Sequence, residues 1–148
     1  MKKKIKIAKN FFYNKFLGVL IKRGKKTKAK RILDLALLKI SKQMRISSNL
    51  ILYQIFFKLN TFVEIKKIKF KRGSHLVPFY ISFSRRTFLA LKWILQAVKK
   101  DKKKISNVVK LSIEFYKILK NLPCESLKLK TLNNSQAFIN KSNTHFRW

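Results

Sequence analysis

The sequence predicts a mainly α-helical fold, a bundle of about five to six helices from which a two-stranded β-hairpin protrudes. Apolar residues recur at helical spacing along most of the 148 residues, but the period changes to two near Phe62 and returns to helical at Ser84. With only three Gly and two Pro, the chain has no flexible linker. Hydrophobic residues make up 47% of it, which favours a packed core. We therefore expect a single domain over residues 1–148.

Three helices are predicted before the hairpin. The first spans about residues 10–23 and ends at Gly24, the second begins after Thr27 as N-cap, and the third begins at Ser47 or Ser48. Their apolar spacing predicts that the following residues face the core: Phe12, Phe16, Val19, Leu20, Ile32, Leu33, Ala36, Leu37, Ile40, Met44, Ile51, Ile55, Phe56 and Leu59.

The hairpin is predicted over residues 63–83, with Gly73-Ser74 as a two-residue type II′ turn. This register pairs Lys69 with Pro78 and Lys67 with Tyr80. The ribbon then has one apolar face and one basic face. Pro78 is tolerated because a two-stranded ribbon consists only of edges.

Helices resume at Ser84, continue at about residues 105–119, and end with a weaker segment at 126–139, where the C-terminal tail (126–148) begins. Trp93 lies within a helical apolar stripe, which favours a place in the core over a stacking platform. The lysine run at 99–104 is interpreted as a solvated linker between two helices.

The charge is extreme. Lys and Arg number 37 against five Asp and Glu, which gives a net charge of +32. Because such a body repels itself, we expect a polyanionic partner. A membrane-surface protein would need one long helix with a basic and an apolar face, and no run of about 18 apolar residues could span a bilayer. We therefore expect nucleic acid as the partner and no membrane binding.

Cations crowd two predicted helix starts, at residues 24–31 and 84–87. Helix N-termini carry positive partial charge, so cations there are unfavourable unless an anion such as phosphate binds. A solvated positive surface is the alternative interpretation. The hairpin lysines form a third cluster, which is suited to lie along a nucleic-acid groove.

Nothing in the pattern predicts catalysis. The five carboxylates are scattered, and two His with the single Cys124 make no recognisable metal site. Gly24-Lys25-Lys26 lacks the preceding glycine of a phosphate-binding loop. We expect no enzyme activity and no cofactor.

Six blocks of the sequence occur in an order that resembles the small-subunit ribosomal protein seven family, from about residue 10 to the C-terminus. They are Gly24-Lys25-Lys26 with Ile32-Leu33 and Ala36, Phe62-Val63-Glu64-Ile65, His75-Leu76-Val77-Pro78, Arg85-Arg86-Thr87-Phe88-Leu89-Ala90-Leu91-Lys92-Trp93, Ala137-Phe138, and His145-Phe146-Arg147-Trp148. The chain departs from the family in a short N-terminal arm, about five extra residues at 140–144, and weak matches in the fifth and sixth helices.

The resemblance implies direct binding to the 3′ major domain of small-subunit rRNA and nucleation of the assembly of the subunit head. It also places the ribbon near the mRNA exit channel and the exit-site tRNA. Ribosomal protein eleven is implied as a neighbour of the C-terminal part, with ribosomal proteins nine and thirteen nearby. The residues predicted to bind RNA are Lys25, Lys26, Lys28, Arg31, Arg85, Arg86 and Lys92 on the helices, Lys67, Lys69, Lys71 and Arg72 on the ribbon, and Arg147 and Trp148 in the tail.

Two questions stay open at this point. A DNA-binding or nucleoid-coating protein is the alternative function. The bias toward Lys, Ile, Phe and Asn is typical of an AT-rich genome and predicts an organelle-encoded or endosymbiont protein. We predict a mitochondrial small ribosomal subunit, with a plastid or endosymbiont ribosome as alternatives. The basic start could pass for a presequence, but the amphipathic stretch 11–21 is counted as part of the domain.

Overall fold

The computed structural model describes residues 2–70, 73–102 and 104–147, with side chains from Phe11 onward except Phe70. This part of the chain contains six α-helices and one antiparallel β-hairpin, which confirms the predicted fold class. The elements are α1 (Lys2–Leu20), α2 (Lys26–Met44), α3 (Ser48–Leu59), β1 (Val63–Phe70), β2 (Gly73–Tyr80), α4 (Phe83–Lys100), α5 (Asn107–Leu119), α6 (Glu125–Ile139) and a terminal 3-10 helix (Asn140–Phe146).

The core is built from the apolar faces of α1 to α5. Phe12 stacks on Phe56 with ring centroids 4.3 Å apart, and Phe16 lies 5.7 Å from Phe115. The residues predicted to face inward are buried, except Val19, Leu20, Ile32 and Met44, which are partly buried at the margin of the core. Trp93 is buried beside Ile81 and Leu89, so its predicted place in the core is confirmed.

The connection between α1 and α2 lies earlier in the chain than predicted, because α1 ends at Leu20 and not at Arg23. Arg23 and Gly24 both have left-handed backbone angles, with φ of 51° and 71°, and reverse the chain within a few residues. The helix α2 can therefore begin at Lys26 with Lys25 at the N-cap position, and the predicted N-cap at Thr27 is wrong. Helix α1 begins at Lys2, earlier than the predicted residue 10.

The hairpin has a different register from the predicted one. Phe70 pairs with Gly73 and Val63 pairs with Tyr80, so the chain reverses between Phe70 and Gly73 and the predicted Gly73-Ser74 turn is wrong. The same register continues at the base, where the Ile81 N–H donates to the Phe62 carbonyl at 3.1 Å. Helix α4 begins at Phe83, so the predicted strand ends before its last residues.

The change of register preserves the two faces of the ribbon. Lys67 pairs with Leu76 instead of Tyr80, and Lys69 pairs with Ser74 instead of Pro78. The shift is an even number of positions, and side chains alternate with a period of two. Lys67 and Lys69 therefore stay on the face that was predicted to be basic.

The C-terminal tail covers the outer edge of the ribbon. Asn143 Nδ2 donates to the Leu76 carbonyl at 3.1 Å, and Arg147 Nε donates to the Pro78 carbonyl at 2.5 Å. On the other strand, Asn133 Nδ2 of α6 donates to the Val63 carbonyl at 2.8 Å. Exposed strand edges pair readily with other chains. The extra residues 140–144 thus belong to a segment that satisfies the edge of β2.

Three lysines are used inside the fold, at helix C-termini. Lys58 Nζ donates to the Ile118 and Leu119 carbonyls at the end of α5, and Lys130 Nζ donates to the Lys58 carbonyl at the end of α3. Lys110 Nζ likewise donates to the Asp101 carbonyl after α4. A cation at a helix C-terminus is favourable because the final carbonyls carry negative partial charge. Part of the large positive charge therefore stabilises the bundle.

Candidate nucleic-acid interface

A groove of about 440 Å³ opens where the end of α1, the start of α2, the end of α4 and the start of α5 meet. Its apolar floor is formed by Val19, Leu20, Ala29, Ile32, Leu95, Val98 and Leu111. Five cations surround this floor: Lys22, Arg23, Lys25, Lys28 and Lys99. None of the described residues that line it is acidic. We call it the α2 groove, and its cations favour a polyanion.

Two of the predicted phosphate contacts, Lys25 and Lys28, lie in the α2 groove. The other two on this helix, Lys26 and Arg31, are exposed but do not line it. Sequence reasoning missed Lys22 and Arg23, which precede the motif and lie in the α1–α2 connection. Basic residues on both sides of Gly24 were the available signal.

Lys99 was also missed, because it was assigned to a solvated linker. In the structure α4 continues to Lys100, so Lys99 lies on its last turn and lines the α2 groove. The linker interpretation is therefore wrong for Lys99 and Lys100. Lys100 Nζ forms an ion pair with Glu125 at 2.7 Å. The apolar period of Leu95 and Val98 runs up to the lysines and could have indicated that the helix continues.

The start of α4 is arranged differently. Arg85 binds the Glu64 carboxylate of β1 through two hydrogen bonds, Nε to Oε2 at 2.8 Å and Nη2 to Oε1 at 2.6 Å. The paired guanidinium lowers the pKa of Glu64, and the pKa of Arg85 is raised in turn. The Arg85 side chain is still 46% exposed. It can therefore hold the hairpin and face a ligand at the same time.

Arg86 is more deeply engaged by the protein. Its Nε donates to the Ile81 carbonyl at 3.0 Å, and its guanidinium lies 4.3 Å from the centroid of the Phe62 ring. Both contacts attach α4 to the base of the hairpin. The charge of Arg86 remains, but its side chain is positioned by the fold.

Two lysines join Arg85 around Glu64, and we call Lys66, Arg85 and Lys92 the hairpin-base cluster. Both lysines are exposed and contribute to lowering the pKa of Glu64. One carboxylate thus neutralises one of three cations. Arg85 and Lys99 lie on the same helix, separated by a rise of roughly 21 Å, so the hairpin-base cluster and the α2 groove lie toward opposite ends of α4.

On the ribbon, Lys67 and Lys69 are exposed, as predicted for RNA-binding side chains. Tyr80 is also exposed, and the Arg147 guanidinium lies 5.2 Å from its ring centroid. Lys71, Arg72 and Trp148 lie outside the described residues.

The carboxylates are used between elements of the fold. Asp34 of α2 accepts a 2.7 Å hydrogen bond from the Tyr13 hydroxyl, and burial together with this contact raises the pKa of Tyr13 to about 12. Buried Glu114 accepts from Ser126 N and Oγ at 3.1 and 2.6 Å and so caps α6. Among the described residues the ion pairs join Arg85 to Glu64, and Lys100 and Lys128 to Glu125. Most surface cations therefore have no acidic partner.

Residues 2–70, 73–102 and 104–147 contain no group of three His, Cys, Asp or Glu that could hold a metal ion. In the same part of the chain, no helix is both long and apolar enough to cross a bilayer.

Comparison with known proteins identifies the family. The family model of ribosomal protein S7p/S5e matches residues 2–141. The small ribosomal subunit protein uS7 of Wigglesworthia glossinidia brevipalpis is 30% identical over 135 residues, which cover 91% of this chain and 85% of that protein. The uS7m protein of Reclinomonas americana is 26% identical over 134 residues, which cover 90% and 83%.

The matched region includes five of the six resembling blocks, and the last block, at residues 145–148, lies beyond it. This family consists of structural ribosomal proteins, so the chain is not an enzyme. The predicted resemblance is confirmed, and the chain belongs to the ribosomal protein S7p/S5e family.

Proposed function

We propose that this chain is a structural component of the small ribosomal subunit that serves translation by binding rRNA. The observation that carries the proposal is the α2 groove, where five cations converge without an acidic residue among the described lining. Cations that are placed together without internal partners are stabilised when phosphates bind between them. The relatives from Wigglesworthia and Reclinomonas are small ribosomal subunit proteins by name.

The chemistry of the groove favours recognition of the RNA backbone. Four of its five cations are lysines, which act as compact point charges, and only Arg23 offers a planar guanidinium for bidentate contacts. Lysine contacts to phosphate fix position and register but carry little base information. Recognition should therefore depend on the folded shape of the RNA.

The resemblance supports a more specific assignment. The target is the 3′ major domain of small-subunit rRNA, where the chain organises assembly of the head, with the ribbon near the mRNA exit channel and the exit-site tRNA. Ribosomal protein eleven lies against the C-terminal part, with ribosomal proteins nine and thirteen nearby. Highly exposed Phe138 and Ile139 at the end of α6 support a protein neighbour there, because such apolar side chains are favoured at interfaces.

The proposed location is a mitochondrial ribosome. The bias toward Lys, Ile, Phe and Asn, which is typical of an AT-rich genome, and the Reclinomonas uS7m relative support this location. The Wigglesworthia relative is bacterial and at least as similar, so an endosymbiont ribosome is the competing location, beside a plastid one. Fractionation of the source cells with an antibody against the chain tests this. Recovery in the mitochondrial matrix is expected, and recovery in another compartment contradicts the location without affecting the RNA-binding proposal.

Two experiments test the function: sedimentation with ribosomal subunits, and a binding competition between rRNA and duplex DNA. We expect the chain to migrate with small subunits in a sucrose gradient and, when purified, to prefer a 3′ major-domain rRNA fragment over duplex DNA of equal length. Preference for duplex DNA, with no migration beside small subunits, would favour the nucleoid-coating alternative.

A further inference from the structure

The packing of α1, α3 and α4 leaves an aromatic groove open. Its floor is the buried pair Phe12 and Phe56, and its walls are Tyr53, Phe57 and Phe83, which are 54%, 74% and 57% exposed. The groove encloses about 130 Å³, and Asn60 and Arg86 also line it. Exposed aromatic walls on a buried aromatic floor form a site that a flat ligand can enter.

The exposed side of α3 does not fit a solvated helix. Leu50, Tyr53 and Phe57 follow one another at i, i+3 and i+7 and are all more than half exposed. The opposite side of this helix is buried in the core through Ile51 and Ile55. An exposed apolar patch of this kind ordinarily marks a binding surface. The open stripe therefore indicates an occupant from outside the chain.

The charges around the groove favour a nucleic acid as that occupant. Arg86 lines the groove directly, and Arg85 follows Phe83 by two positions. Lys15 Nζ donates to Ser84 Oγ at 3.3 Å, next to Phe83. None of the described lining residues is acidic. An apolar protein helix could cover the aromatic walls, but it would gain nothing from these cations.

We propose that the aromatic groove is a stacking site for unpaired bases of the bound RNA. This inference rests on the proposed function and adds a second mode of contact to the backbone recognition at the α2 groove. Bases in loops and bulges stack on aromatic side chains, and cations beside the rings hold the adjoining phosphates. The Asn60 amide can donate to or accept from a base edge at the end of the groove.

The test compares an aromatic side chain of the groove with an exposed apolar side chain outside it, in binding to a 3′ major-domain rRNA fragment. Phe57→Ala should weaken binding at least fivefold, since each stacked base contributes that much or more. The slope of log K against log salt should not change, because stacking releases no counterions. The matched control Leu38→Ala removes an apolar side chain that is 52% exposed on α2, outside the groove, and it should leave the affinity unchanged.

Two further variants separate stacking from a general apolar contact. Phe57→Tyr should keep the wild-type affinity, and Phe57→Leu should lose as much as Phe57→Ala, because leucine has no π-face. Tyr53→Ala should show the same loss without a change in slope, and unchanged helical circular dichroism confirms that each variant is folded.

Other outcomes would contradict either base stacking in the groove or rRNA binding by the chain. Wild-type affinity of Phe57→Ala, or of Phe57→Leu, for the rRNA fragment overturns stacking and leaves the proposed function standing. If Phe57→Ala binds the fragment normally but no longer migrates with small subunits, the groove holds a protein instead. Failure of the wild-type chain to bind any rRNA overturns the proposed function itself.

Discussion

The starts of α2 and α4 are both crowded with cations in the sequence, but the fold uses them differently. At the start of α2, Lys25 and Lys28 lie in the α2 groove with other cations and without an acidic side chain among the described lining. At the start of α4, Arg85 is bound by Glu64, and Arg86 is held by the Ile81 carbonyl and the Phe62 ring. The comparison teaches that the cations of a basic helix start can serve the packing of the fold as well as a ligand, because at the start of α4 the fold itself binds them.

The largest expected effect is on RNA binding at the α2 groove. Lys25→Gln/Lys28→Gln should weaken binding to a 3′ major-domain rRNA fragment roughly tenfold to a hundredfold and make the salt slope shallower by about 1.5, because two phosphate contacts are lost. Both side chains are exposed, so thermal unfolding should be unaffected. Filter binding over a salt series measures both quantities.

The matched control lies on the same helix. Lys39→Gln/Lys42→Gln removes the same charge from exposed positions outside the groove and should change the affinity and the slope much less. Equal losses of affinity for the two double variants would mean that RNA binding depends only on net charge. The start of α2 would then not be a specific RNA site.

A smaller effect is expected on stability at the start of α4. Arg86→Ala removes the hydrogen bond to the Ile81 carbonyl and the contact with Phe62, and it should lower the free energy of unfolding by roughly 1–2 kcal/mol. Arg86→Lys keeps the charge but not the planar contacts, so most of that loss should remain. Urea unfolding measures this loss of stability. Wild-type stability for Arg86→Ala would show that the contacts with Ile81 and Phe62 do not stabilise the fold.

The smallest effect concerns Glu64, and it depends on pH. Glu64→Gln should lower the free energy of unfolding by roughly 1 kcal/mol at neutral pH, because it breaks a bidentate pair that is partly exposed. The folded protein holds the pKa of Glu64 below its ordinary value of 4.5, so the carboxylate stabilises the fold above that pH. The difference between wild type and variant should shrink as the pH falls below 4.5. A difference that stays constant in acid would contradict the ion pair.

The helices could be predicted from the sequence because their burial follows a local period. The stripe through Leu33, Leu37 and Ile40 indicates helix and core side together, and all three are fully or almost fully buried. The hairpin register could not be predicted, because the alternation of apolar and basic residues is the same in registers that differ by an even number of positions. The preference of glycine for tight turns favoured a turn at Gly73-Ser74, whereas Gly73 pairs with Phe70 in the ladder.

The candidate site could be predicted only where its residues form a local sequence pattern. Lys25 and Lys28 belong to a local motif, whereas Lys99 joins them only because α4 packs against α1 and α5. The pairing of Arg85 with Glu64 spans 21 positions of sequence, and no local pattern indicates which of the scattered acids an arginine will meet. The RNA contacts of all the predicted residues stay predictions.

The affinity of the wild-type chain for the 3′ major-domain rRNA fragment, measured as a function of salt, tests the central claim most directly. If the five cations of the α2 groove each meet one phosphate, they alone should give a log–log slope of roughly −4. A slope at least that steep is the predicted result. A slope near zero would contradict the account, because the excess cations would then have no phosphate partner.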